Sequence, residues 1–179
     1  MTYIIVDLEA TCCDKGTVTR DQMEIIEIGA VALDGLGPNI TDEYQSFIRP
    51  VRNPELTSFC MNLTSISQEN VNSSCGFGEV LAEFGGWLDL FENPIFCSWG
   101  AYDKNQLKQD CTFHGADFPF SEEHINIKQK FADNMGLKRG LGLGKALKKV
   151  RIEFEGTAHR GIDDARNIAK LSKYIFTTL

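Results

Sequence analysis

The chain has 179 residues, 42% hydrophobic and 24% charged, with a formal net charge of −7 at pH 7. That length suits one domain with a sizeable core and is short for two, and no apolar run approaches the ~20 residues of a membrane-spanning helix. The acidic balance excludes a protein that coats nucleic acid by bulk phosphate neutralisation, but not an enzyme that grips only a strand end.

In chain order, "YIIVDLEA" (3–10), "EIIEIGAVAL" (24–33) and "EYQSFIRP" (43–50) read as three strands, the last closed by Pro50. The intervening "DGLGPN" carries turn residues, so an antiparallel opening is expected. In "TSISQENV", Thr64 or Ser65 ahead of amide and acidic residues predicts a short capped helix. The segment "FGEVLAEFGGWLDLF" sets Phe77, Leu81, Phe84 and Leu88 at helical intervals. A fourth strand over 94–99, a helix over 103–114 and a weak fifth strand at "HINI" (124–127) follow. Helices over 128–135, 142–149 and 161–176 complete the pattern. Strands alternating with helices after a three-strand start predict an α/β domain with a mixed sheet, spanning 1–179.

Six cysteines (Cys12, Cys13, Cys60, Cys75, Cys97, Cys111) lack any C-x-x-C pair, and the N-terminus lacks a basic segment followed by an apolar one. Free thiols in a reducing cytoplasm are therefore expected. Cys111 and His114 have the spacing of half a zinc site, but no second half is present in the sequence.

The acids carry the chemical signal. On a strand, residues i and i+2 share a face, so Asp7 and Glu9 point together while Val6 and Leu8 point oppositely into core. Two carboxylates aimed into one space stay ionised together only around a cation. Asp103 follows the fourth strand, in register with Leu107 and Cys111; it reads either as a helix N-cap or as an inward acid at the start of the buried stripe. In "HRGIDDARNIAKLSKYIF", Asp164 shares its helical stripe with Ile168, Leu171 and Ile175, whereas Asp163 shares one with Asn167, Lys170 and Tyr174. Asp164 thus faces the protein body and needs a partner; Asp163 faces water or caps the helix. His159, on the loop entering that helix, can keep a near-neutral pKa and act as a general base. His114 and His124 read as bystanders.

Together, "DLE" (Asp7, Glu9), Asp103 and "HRGIDD" (His159, Asp164) resemble the DEDD superfamily of 3′-to-5′ exonucleases. The H-x4-D spacing is that of the DEDDh branch; the sister branch carries Tyr where this chain has Arg160. The stretches "DLEATC", "EIIEIGAV", "FIRPVRNPELTSFCMNLTSISQENV", "WGAYD" and "GTAHRGIDDARNIAKL" are similar to the Eri-type exoribonucleases. The resemblance runs from residue 3 to about 175.

It implies a ribonuclease H-like mixed five-stranded sheet flanked by helices. It also implies two divalent ions, Mg²⁺ or Mn²⁺, held by Asp7, Glu9, Asp103 and Asp164, with His159 taking the proton from the attacking water. The implied partner is a single-stranded nucleic acid 3′ end, RNA ahead of DNA, with no membrane. Glu9, Ala10 and Thr11 are expected near the terminal ribose, His159 near the scissile phosphate, and Phe59 and Met61 either against the last base or in ordinary core packing. A DNA-preferring exonuclease and an inactive binding module on the same fold are the alternatives.

Finally, "KRGLGLGKALKKVR" (138–151) holds six basic residues and reads as a backbone-tracking surface or a solvated helix face. Its glycines do not make a phosphate-binding loop, because Arg139 and Ala146 stand where that pattern requires Gly and Ser or Thr.

Overall fold

In the computed structural model, which describes residues 2–35, 37–121 and 123–175, strand β1 (Thr2–Ala10) is the spine. It pairs antiparallel with β2 (Ile25–Asp34) and parallel with β4 (Pro94–Ser98). Strand β3 (Ile40–Phe47) lies antiparallel outside β2, and β5 (His124–Asn126) parallel outside β4. The order is β3-β2-β1-β4-β5, a mixed five-stranded sheet. The helices are α1 (Ser58–Thr64), α2 (Gln68–Asn72), α3 (Phe77–Leu88), α4 (Tyr102–His114), α5 (Ile127–Asn134), α6 (Leu143–Lys149) and α7 (Gly161–Ala169).

Strand periodicity divides the interior into two cores. Ile4, Val6 and Leu8 enter a cluster with Phe77, Phe84 and Leu107 from α3 and α4. On the other face Ile5 meets Phe131, Leu147, Ile162 and Ile168 from α5, α6 and α7. Asp7 and Glu9 continue the Ile5 face, so the same alternation that buries Ile5 delivers both acids beneath the N-terminus of α7.

Two glycines allow that helix to come so close. A Cβ on Gly29, which faces Asp7 across the ladder, would fall 2.0 Å from the Ile162 nitrogen and 2.1 Å from the Gly161 carbonyl carbon. A Cβ on Gly161 would lie 2.8 Å from the Asp7 carbonyl oxygen. Contacts that short do not exist, so only glycine lets α7 seat on the β1–β2 pair.

Several expectations need correction. The helix over 58–64, capped by the Thr57 hydroxyl accepting from Cys60 N, was not expected, because "TSFCMNLT" is too short to show a clear helical period. Thr64 and Ser65 are its C-terminus, Ser65 in the left-handed region with φ 58°; the true cap of the following helix is Ser67. Strand β3 begins three residues earlier than read and stops before Pro50. The last helix ends at Ala169 rather than 176, continuing only as a 3-10 turn at Ser172–Tyr174, and residue 176 lies outside the described residues.

Gly29→Ala should destabilise the protein by about 3 kcal/mol or more, because the methyl group meets backbone that cannot yield. Urea unfolding measures this; a change under about 0.5 kcal/mol would contradict the packing described.

Candidate active site

The site begins where β1 outruns its neighbour. The β1–β4 register ends at Ile5–Cys97, leaving the β1 backbone beyond it without a strand partner on that side among the described residues. The start of α4 fills the gap: Leu8 N donates to Asp103 Oδ1 at 3.1 Å. Asp103 is only 4% exposed and is the second residue of its helix; the N-cap is Ala101, which offers no side-chain cap. The helix-cap alternative for Asp103 is therefore replaced by a bond to the backbone between Asp7 and Glu9, which brings the third acid to the first two.

The fourth acid and the histidine arrive through a buried clamp. Glu27, on β2 and fully buried, accepts from Arg160 Nε and Nη2 and from Gly161 N, each at 3.0 Å. Gln45 Nε2 donates to the same carboxylate at 3.0 Å. A buried carboxylate with this many donors is held firmly, and it fixes the residues flanking the start of α7. One residue upstream, His159 takes a left-handed backbone with φ 63°, an uncommon conformation that persists only where the surroundings enforce it. Here His159 N donates to Asp164 Oδ2 at 3.1 Å. The result is a group in which one ligand atom each of Glu9, His159 and Asp164 lie within 4.8 Å of one another.

The stripe argument places Asp164 correctly toward the body, since Ile168, Leu171 and Ile175 are all buried. Its other half fails at Asn167, which is fully buried. The loop after α6 folds back onto that face: Asn167 Nδ2 donates to Glu155 O at 2.7 Å, and Asp163 Oδ2 accepts from Thr157 N at 2.9 Å. Polar residues there bind loop backbone rather than water.

Asp7, Glu9, Asp103, His159 and Asp164 line one cleft of about 370 Å³, with Ala10 and Cys12 beside them. Its apolar lining is Met23, Leu63, Trp99, Tyr102 and Leu143. Thr11, Phe59 and Met61 do not line it. Thr11 is buried, its hydroxyl accepting from Glu24 N at 3.0 Å. Met61 packs toward Ile26 and Cys60, and Phe59 lines a neighbouring cavity with Cys13 and Thr57. On a helix, Leu63 is the i+4 neighbour of Phe59, and it is Leu63 that lines the cleft.

A family model described as Exonuclease matches residues 4–172. The chain belongs to the exonuclease family. Human 3'-5' exoribonuclease 1 is 31% identical over 176 residues, covering 94% of this chain and 50% of its own length. The probable 3'-5' exonuclease KapD of Bacillus subtilis is 30% identical over 175 residues, covering 97% of this chain and 84% of its own. The nuclease domain of 3'hExo, a DEDDh family member solved bound to rAMP, superposes with a TM-score of 0.87 at 28% identity, covering 96% of this chain and 89% of that one. The chain spans about half the length of the exoribonuclease 1 proteins it matches. The resemblance to DEDDh exonucleases of the Eri type is thus borne out, as is the ribonuclease H-like fold.

Electrostatics in this exonuclease-family site is one-sided. Desolvation, followed by the charges of Asp103, Asp164, Glu9 and Glu27, pushes the Asp7 carboxyl far above the usual range. Desolvation with Asp164, Glu27 and Asp103 raises Glu9 to about 9. Burial lifts Asp103 and Asp164 each to about 6, against the pull of the Leu8 and His159 N–H groups. The nearby Arg160 does not relieve them, because its guanidinium is committed to Glu27. An all-oxygen set with this much unbalanced negative charge fits hard divalent cations.

The sign of the pH dependence follows. Carboxyls whose folded pKa lies above the unfolded value bind more protons when folded, so the metal-free protein loses stability as pH rises from about 5 through 6 and towards 9. The melting temperature in EDTA should be several degrees higher at pH 5 than at pH 8, and millimolar Mg²⁺ should raise it at pH 8 but scarcely at pH 5. A metal-free melting temperature that stays flat or climbs over that interval would refute the unbalanced-carboxylate picture.

Proposed function

We propose that the chain is a divalent-cation-dependent 3′-to-5′ exoribonuclease that releases nucleoside 5′-monophosphates from single-stranded RNA ends. One observation carries this reading: acids from β1, α4 and α7, far apart in sequence, open with one imidazole onto a single cleft. Relatives named as 3'-5' exoribonucleases, and a similar solved structure of a 3'-exonuclease that recognises the 3' end of a histone mRNA stem-loop, support RNA as the substrate.

Asp7, Glu9, Asp103 and Asp164 would hold two divalent ions, Mg²⁺ or Mn²⁺ by the hardness of the donors. Bound there, such ions supply charge neutralisation at the phosphate and acidify a water molecule. The chain's own part is positional. Leu8 N and His159 N fix Asp103 and Asp164 by hydrogen bonds, so both carboxylates are preorganised. His159 is exposed on its loop, and a ring nitrogen there takes the proton of the attacking water. Ala10 presents backbone to the terminal ribose. Thr11 serves by tying the end of β1 to Glu24. Against the last base we assign Leu63 and Met23, which line the cleft, in place of Phe59 and Met61. The six unpaired thiols suit a reducing, cytoplasmic setting.

A 5′-labelled single-stranded RNA incubated with Mg²⁺ or Mn²⁺ should shorten progressively from its 3′ end, EDTA should stop it, and a matched DNA should be degraded more slowly. Asp7→Ala and Asp164→Ala should abolish the reaction while the protein stays folded. His159→Ala should cost on the order of 10²–10⁴-fold in rate. Full activity in Asp164→Ala, or a ladder unaffected by EDTA, would overturn the proposal.

A further inference from the structure

The cationic stretch after α5 finds no use in the chemistry above. Lys138, Arg139, Lys145, Lys148, Lys149 and Arg151 are six of the chain's 18 basic residues, and residues 134–152 contain no acid. All six are exposed. Helix α6 buries Ala146 and Leu147 against the core containing Phe131 and Ile162, with Leu143 and Val150 packed at its edge. By helical angle this leaves Lys145, Lys148 and Lys149 on the opposite side. Ordinary solubility would intersperse acids along such a face; here a protein of net charge −7 keeps them out.

The placement ties this face to the cleft. Leu143 lines the carboxylate cleft, and the next residue, Gly144, lines a groove of about 420 Å³ with Lys148 and Arg151 on its walls. Leu147, Ile152 and Phe154 give the groove an apolar lining, and Glu153 is its one acid. Trp99 Nε1 donates to Leu141 O at 3.0 Å, pinning the approach to α6 against the end of β4. A second cavity, lined by Cys13, Thr57 and Phe59, has Asp14 and Lys15, whose charges cancel. Of these two cavities, the groove beside α6 is the one with an excess of cationic side chains.

We infer that the strand leaving the active site runs over α6, its phosphates on Lys145, Lys148 and Lys149 and a base against Phe154 in the groove. This rests on the exonuclease reading and adds the path of the nucleotides upstream of the cleaved end. Helix α6 is about 10 Å long, enough to serve roughly two phosphates of an extended strand. The surface acts by charge and stacking, so it reads length and not sequence.

The test uses the triple variant Lys145→Gln, Lys148→Gln, Lys149→Gln, whose exposed positions leave the core untouched. Binding of an unstructured RNA of about 15 nucleotides is followed by fluorescence anisotropy in EDTA across a salt series, and Mg²⁺-dependent cleavage of a dinucleotide is followed separately. The variant should bind the long RNA on the order of 10- to 100-fold more weakly. Its slope of log Kd against log salt should fall by about 1.4, since each of roughly two single-strand phosphate contacts contributes about 0.7. Dinucleotide cleavage should be unchanged. An unaltered Kd and slope would overturn the inference, as would an equal loss on the dinucleotide. Absence of dinucleotide cleavage in the unmodified protein would defeat the exonuclease reading instead, while the anisotropy comparison still decides the surface.

Discussion

Everything in the cleft depends on how near helix α7 can stand to the first two strands. Gly29 and Gly161 set that separation by having no side chain, and the Glu27 carboxylate locks it by accepting from Arg160 and Gly161 N. A one-carbon change at either glycine moves a helix, and with it Asp164 and the left-handed His159. The same device explains why a costly buried acid such as Glu27 is present: its ion pair with Arg160 is a fastening, with only the arginine partly exposed. Removing one partner of such a pair is far more damaging than the pair itself is stabilising.

Around that frame the fold gathers charge of one sign. Asp7 and Glu9 come from strand alternation, Asp103 from the unpaired edge of β1, and Asp164 from the inner stripe of α7. Each has a simple local cause, yet the sum is a set of carboxyls that burial and mutual repulsion push upward in pKa. On the proposed function, stability is sacrificed where a polyanionic substrate would be handled, and divalent cations would reconcile the two demands. The electropositive face of α6 complements this arrangement from outside the cleft.

Much of this was legible in the residues. The three opening strands, the shared face of Asp7 and Glu9 and the inward stripe of Asp164 follow from periods of 2 and 3.6 alone. Three features did not. Helix α1 is too short to show a clear period and owes its place to a Thr57 cap and to packing of Cys60. Asn167 sits on a stripe that looks solvated, because nothing local announces that the loop before His159 folds back over it. Gly29 lies inside a strand pattern, and a lone glycine there says that backbone approaches without saying whose. These are all long-range facts, in which one segment's environment is another segment's backbone. Phe59 and Met61 failed as cleft residues for a related reason: the helix bearing them was not foreseen, so its cleft-facing residue, Leu63, could not be chosen.

The central claim is that Asp7, Glu9, Asp103 and Asp164 form one cation-holding centre. Anomalous diffraction from crystals soaked in Mn²⁺ tests it most directly. Two manganese peaks among these four carboxylates, lost in Asp7→Asn, are the predicted result; manganese absent from the cleft, or bound undiminished in that variant, would contradict it.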